Sequence, residues 1–228
     1  MGEVFAHRFA CLGSPATSSS MTSAAASGCR GRVVVCHRIV ARLPELSPSD
    51  AEPRVRSALE RLPPLAIFRV LANAQGTFVN WLRFGGDCLD GELFDPVLRE
   101  LAILRVARLT PGGAYEWAQH VPILLAVGGT SAQVTALEAD DLEAEALGED
   151  GRLVVRFTTQ VVLDASPDER TFASMNARFA SAEIVQLLLV IGQYMMLARV
   201  MATAQLEVDA VLGADVLAGV QRRDSGPQ

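Results

Sequence analysis

The chain has 228 residues, of which half are hydrophobic and 20% are charged. This length supports one well-buried core and leaves little room for a second full domain. The formal net charge of −6 argues against a nucleic-acid-binding surface. All 20 basic residues are arginine, which excludes Schiff-base catalysis because that chemistry needs a lysine amine.

Histidine and cysteine are scarce, which narrows the possible chemistry. Of the three histidines, only His120 lies beyond the N-terminal region. The cysteines show no metal-binding spacing, and three of the four lie in that same region: Cys11, Cys29, Cys36 and Cys88. We therefore expect no metal, no cofactor and no disulfide framework, and the cysteine usage fits a cytoplasmic location.

Composition divides the chain into three parts. Residues 1–41 are rich in Ala, Ser, Gly and Arg and loosely resemble a transit peptide, although a disordered tail or an over-extended start before Met21 fits better. Residues 42–210 form the predicted helical domain, and residues 211–228 form a C-terminal tail. The predicted domain is all-α with eight or so helices. Pattern and breaker residues place helical segments at 51–62, 64–74 with its continuation 76–89, 95–109, the segment that begins near Tyr115, 131–138, 152–164, 167–179 and 181–205.

Two of these segments leave alternatives open. Residues 152–164 are β-branched enough for a strand, but no partner strand is evident, and a helix is favoured. Residues 181–205 are long enough to cross a membrane, yet Gln186, Gln193 and Arg199 interrupt the apolar run. A helix buried in a core or a subunit interface is therefore favoured. Helix N-caps are predicted at Asp95, Ser131, Ser166 and Ser181.

Residues 95–129 gather the reactive side chains of the chain. Glu116 and His120 are four residues apart, so they share one helix face, where a carboxylate can orient the imidazole for acid–base work. Glu100 and Arg105 lie on the preceding helix. The alternatives are a surface ion pair, a buried histidine satisfied by its neighbour, and a salt bridge that uses Glu100 and Arg108.

The same stretch resembles a known family. RELAILRVARLTPGGAYEWAQHVPILLAVGGTSAQVTALE is similar to the carboxymuconolactone decarboxylase family, which includes the alkylhydroperoxidase D-like proteins. The resemblance covers roughly residues 42–208 and implies an all-α fold that assembles into trimers or hexamers, with the pocket near subunit contacts. The matching residues are Arg99, Glu100, Tyr115, Glu116, Trp117, His120, Pro122 and Gly128.

The chain departs from the peroxidase branch of that family. There a CxxC motif precedes the histidine, but Gly113 and Glu116 stand at the two thiol positions here. Without thiols a hydroperoxide has nothing to oxidise. The decarboxylase branch is the better chemical match, although YEWAQH differs from its local sequence and the substrate does not carry over.

These residues predict a cofactor-free lyase or isomerase, such as a carboxy-lyase, for a small carboxylated or lactone substrate. His120 would transfer the proton, with Glu116 orienting it and Glu100 as a second acid or base. Arg105 would hold a substrate carboxylate, while Tyr115 and Trp117 would shape the pocket. The alternatives are a peroxidase that uses Cys88 and a non-catalytic helical oligomer. The expected partners are a small-molecule substrate and further copies of the chain, without nucleic acid or membrane.

Overall fold

The computed structural model describes residues 41–89, 94–209 and 211–212. The predicted N-terminal segment, apart from residue 41, and most of the predicted C-terminal tail lie outside these residues. The described part of the chain forms nine α-helices and contains no strand, so the all-α prediction is confirmed. The helices are α1 Pro53–Leu59, α2 Ala66–Leu71, α3 Gln75–Cys88, α4 Pro96–Leu109, α5 Ala114–Ala126, α6 Ser131–Glu138, α7 Gly148–Asp164, α8 Glu169–Arg178 and α9 Ser181–Ala204.

Helix α4 is the centre of the domain. Residues 99–107 are all buried, including two arginines and a glutamate, because α5, α7 and α9 pack around the helix. The predicted start is confirmed: the Asp95 carboxylate accepts a hydrogen bond from the Leu98 amide at 2.9 Å, and Pro96 is the first helical residue. Residues 152–164 are helical within α7, as favoured above.

Three predicted N-caps are wrong by one or two residues. The cap of α6 is Thr130 instead of Ser131, and the Thr130 hydroxyl accepts from the amide three residues later at 3.2 Å. The cap of α9 is Ala180 instead of Ser181, where the Glu183 carboxylate accepts from the Ala180 amide at 2.7 Å. In each case the glutamine or glutamate side chain three residues after the cap accepts from the cap's own amide and fixes the start.

The third wrong cap lies at the start of α8. Asp168 caps this helix instead of Ser166, and its carboxylate accepts from the Thr171 amide at 2.7 Å. The same carboxylate accepts from the Gln160 side chain on α7 at 2.8 Å. A tertiary contact therefore decides between two acceptable cap residues, and the sequence does not show that contact.

The turn between α4 and α5 requires its two glycines. Gly112 has a φ of +93°, and a Cβ there would lie 2.6 Å from the Ala198 carbonyl oxygen on α9. A Cβ on Gly113 would collide with the Ala107 carbonyl oxygen. Since any side chain at these positions would push α5 away from α4 or α9, the glycines set the close approach on which the site below depends.

Helix α9 is the longest helix of the described chain, and one face of it is buried. By length and composition it could cross a membrane, but 44% of the corresponding window is buried within the molecule. Its buried face packs against α3, α4, α5, α7 and α8. Helix α5 continues past Pro122 to Ala126.

Candidate functional site

A cavity of about 100 Å³ lies between α2, α3, α5 and α9. At roughly 10–15 Å³ per water, it has room for several waters or for one small organic molecule. Its wall is mainly apolar, with polar groups from α5 and α9. The lining residues are Ile67, Phe68, Trp81, Leu82, Gly85, Gly86, Leu89, Tyr115, Glu116, Gln119, His120, Gln193, Tyr194, Leu197 and Met201.

His120 and Glu100 form a buried hydrogen bond beside this cavity. The distance from His120 Nδ1 to Glu100 Oε2 is 2.7 Å, and Glu100 is fully buried. A carboxylate oxygen only accepts, so we assign the donated proton to Nδ1. In the neutral ring the other nitrogen, Nε2, then carries the lone pair, on a residue that lines the cavity. This arrangement is that of an oriented general base.

Arg99 holds the Glu100 carboxylate from the opposite side. Its Nε and one terminal nitrogen each lie 3.1 Å from Glu100 Oε1, and the other terminal nitrogen donates to the Leu89 carbonyl at 2.8 Å. Arg99 and Glu100 are 2% and 0% exposed. Buried charges are stable only when paired and hydrogen-bonded, so the guanidinium keeps Glu100 in place as an acceptor for His120.

The structure does not show the expected hydrogen bond between Glu116 and His120. Both Glu116 carboxyl oxygens are buried without a hydrogen-bond partner among the described residues, and Glu100 takes the orienting position instead. Burial raises the pKa of Glu116 to about 8. At neutral pH this carboxyl group is therefore mostly protonated, and it can donate a proton or a hydrogen bond on the cavity wall.

Tyr194 on α9 packs against the histidine ring. The two rings meet edge to face with their centroids 4.8 Å apart, which limits rotation of the imidazole. Burial raises the pKa of Tyr194 well above its usual range, with Glu100 as the second cause. The phenol therefore stays neutral beside the carboxyl groups.

The chain after α9 covers the outer side of the site. Asp209 accepts hydrogen bonds from the Tyr115 hydroxyl at 2.8 Å and from the Ala66 amide at 2.6 Å. The Leu212 amide donates to the Gln119 side chain at 3.2 Å. Burial, followed by the bond to Asp209, raises the pKa of Tyr115 far above its usual range. Tyr115 therefore shapes the cavity, as expected, and also anchors this segment.

Two predicted site residues lie elsewhere. Arg105 does not line the cavity, because its guanidinium pairs with Asp140 and donates to the Thr159 hydroxyl at 2.8 Å. Trp117 also lies outside the lining of the cavity, and the Cζ atom of Arg108 lies over its ring, 5.7 Å from the ring centroid. An α-helix turns by about 100° per residue. Arg105 comes five residues after Glu100 and therefore lies about 140° away from it around α4. Trp117 comes one residue after Glu116 and therefore lies on a different face of α5.

The structure adds lining residues that the sequence interpretation did not select. Gln193 and Tyr194 are adjacent polar residues within the apolar α9, and that interruption is the signal that would have found them. Trp81 also lines the cavity, and its indole nitrogen is buried without an acceptor among the described residues. No sequence pattern marks Trp81 as different from a core residue.

No protein-family model, curated protein or solved structure matches the chain. The resemblance to the carboxymuconolactone decarboxylase family therefore rests on the residues quoted above. The proposed function therefore depends on the geometry of the site.

Proposed function

We propose that the protein is a cofactor-free lyase or isomerase, similar to the carboxymuconolactone decarboxylases, that moves a proton on a small lactone or carboxylated substrate. The observation that carries this proposal is the 2.7 Å hydrogen bond between Glu100 and His120 beside an apolar cavity. An oriented imidazole and a protonated carboxyl group, Glu116, share the wall of that cavity. When the surroundings of two titratable groups make their pKa values different, one group can act as the acid and the other as the base at the same pH.

The proposed step begins with His120. Its Nε2 takes a proton from the carbon next to a carbonyl group, and the electron pair moves onto the carbonyl oxygen. Glu116 donates a hydrogen bond to that oxygen and stabilises the developing charge. The imidazolium then returns the proton to a different carbon, which gives an isomer. In a decarboxylation, His120 takes the proton of the substrate's carboxylic acid group, the electron pair comes from the bond to the leaving carbon dioxide, and the imidazolium returns that proton to the carbon.

A thiol peroxidase receives less support. Burial, and next the neighbouring Asp87, raise the pKa of the Cys88 thiol to about 11, so very little reactive thiolate exists at neutral pH. Cys88 is 1% exposed and does not line the cavity. At Gly113, one of the two thiol positions of the related peroxidases, no side chain fits against Ala107.

The test compares the wild-type protein with His120→Gln on a panel of small unsaturated lactones and their carboxylated analogues. General acid–base catalysis contributes about 10²–10⁴-fold, so we expect turnover to fall by at least about 100-fold in the variant. Ala126→Gln, at the exposed end of the same helix, is the control and should keep full turnover. Circular dichroism checks that both variants are folded.

Two outcomes decide between catalysis and simple binding. Equal turnover in wild type and His120→Gln would reject the mechanism. Ligand binding without turnover on any member of the panel would favour the non-catalytic oligomer.

Self-association and a cytoplasmic location belong to the same proposal. One side of α9 leaves apolar side chains exposed, namely Val185, Leu188, Leu189 and Met196. Such a row supports a contact between copies of the chain. Sedimentation velocity measures the subunit number directly, with a trimer or hexamer expected.

A further inference from the structure

The charge of the cavity wall restricts what the cavity can hold. Among the described lining residues there is no arginine, and the ionisable ones are Glu116, His120 and the two tyrosines. The two nearby buried arginines are already engaged. Arg99 binds Glu100 and the Leu89 carbonyl, while Arg105 binds Asp140 and Thr159. Among the described residues that line the cavity, there is therefore no permanent cation to pair with a ligand carboxylate.

Glu116 shows how this environment treats a negative charge. Its carboxyl group is buried without a partner, and burial alone is enough to favour the neutral form. A ligand carboxylate in the same cavity would meet the same desolvation cost. It would also find no arginine among the described residues of the cavity wall.

The unpartnered polar groups of the wall favour a carbonyl oxygen. The Trp81 indole nitrogen is a donor only, and it has no acceptor in the described part of the chain. The protonated Glu116 carboxyl group is a second donor. Buried polar groups are normally hydrogen-bonded, so a ligand acceptor oxygen would give either group the partner that it lacks among the described residues. A ketone or lactone carbonyl offers such an oxygen without a charge.

The volume of the cavity suits a small molecule. An apolar cavity of roughly 150 Å³ holds one benzene molecule, and the cavity here is about 100 Å³. One five-membered ring with few substituents fits this space.

We propose that the cavity takes a small, uncharged, single-ring carbonyl compound, such as an unsaturated lactone or a cyclic enone, and discriminates against its carboxylated counterpart. This inference rests on the proposed acid–base function and narrows its substrate class. For a β,γ-unsaturated γ-lactone, His120 would take the proton at C3 and return it at C5. The product is the α,β-unsaturated isomer, and no co-reactant is needed.

The test uses two probes of nearly equal shape, furan-2-carboxamide and furan-2-carboxylate. Isothermal titration calorimetry at pH 7 with the full chain should show the amide binding at least tenfold more tightly than the carboxylate. Equal or tighter binding of the carboxylate would overturn the proposal, and so would the absence of amide binding.

A cavity-filling variant assigns the binding to this site. A Cβ at Gly85 would contact only the Gln193 side chain at 3.5 Å, and Gly85 lines the cavity, so the side chain of Gly85→Leu should occupy part of that space. Gly76→Leu, on the same helix in open space, is the matched control. Amide binding should be lost in the first variant and kept in the second. Amide binding that survives in Gly85→Leu would place the ligand elsewhere and reject the assignment.

The binding and turnover experiments fail independently. If His120→Gln turns over as fast as the wild type while the amide still binds more tightly than the carboxylate, the mechanism is rejected and the ligand class is kept. His120-dependent turnover that is faster on carboxylated lactones would reject the ligand class and keep the mechanism.

Discussion

Replacement of Glu100 by alanine should lower the free energy of unfolding by about 3–5 kcal/mol, as expected when one member of a buried ion pair is removed. The variant leaves the Arg99 guanidinium, 2% exposed, without its carboxylate. It also leaves His120 Nδ1 without the acceptor that now lies at 2.7 Å. Urea unfolding at pH 7, followed by circular dichroism, measures the change.

An exposed ion pair gives the control for this prediction. Glu143 pairs with Arg156 at 2.6 Å, and the Glu143 side chain is 70% exposed. Glu143→Ala should therefore change the free energy of unfolding by less than about 1 kcal/mol. A loss as small as this in Glu100→Ala would contradict the description of Glu100 as the buried centre of the network.

Replacement of Glu116 by glutamine should remove a pH dependence of stability. Burial raises the pKa of Glu116 from 4.5 to about 8 in the folded protein. Between these values the folded protein keeps a proton that the unfolded chain has lost, so the free energy of unfolding falls as the pH rises. The stabilisation is complete below pH 4.5 and is lost as the pH passes through about 8. The slope from this residue is about 1.4 kcal/mol per pH unit.

The difference in the free energy of unfolding between Glu116→Gln and wild type, measured as a function of pH, gives this slope. Near pH 4 the two proteins should have similar stability, because both carry a neutral side chain at this position. As the pH rises to about 8, the free energy of unfolding of the variant should increase relative to that of the wild type by a few kcal/mol in all. Above that pH the difference should level off. Glu138→Gln, an exposed carboxylate on α6, is the control and should follow the wild-type profile. A constant difference between Glu116→Gln and wild type across the range would show that Glu116 is already ionised in the fold.

Local sequence signals predicted the helix boundaries best where the sequence supplies a capping or breaking residue. Asp95 followed by Pro96 marks the start of α4, and the glycine pair at 112–113 marks its end. The cap of α8 was missed because Asp168 is selected by Gln160, a residue of another helix. The start of α8 was thus predicted to within two residues, whereas α7 begins at Gly148, four residues before the predicted start.

The sequence identified the site residues better than their partners. Spacing placed Glu116 and His120 on one face of α5, and both line the cavity. It could not show that the orienting carboxylate comes from α4, since that depends on how closely α4 and α5 approach at the glycine turn. Arg105 was selected for its charge, but its side chain pairs with Asp140 on the opposite side of α4. Partner choice is a property of packing, and helical spacing alone does not determine it.

The hydrogen bond to Glu100 holds His120 with the proton on Nδ1, which in the neutral ring leaves the lone pair on Nε2. Nitrogen-15 NMR of the histidine-labelled full chain at pH 7 tests this claim directly, and the spectrum of His120→Gln identifies the His120 signals among those of His7 and His37. The structure predicts a protonated Nδ1 and an unprotonated Nε2 for His120, with this pattern lost in Glu100→Gln. A His120 signal with the proton on Nε2, or one averaged over both nitrogens and unchanged in Glu100→Gln, would contradict the account.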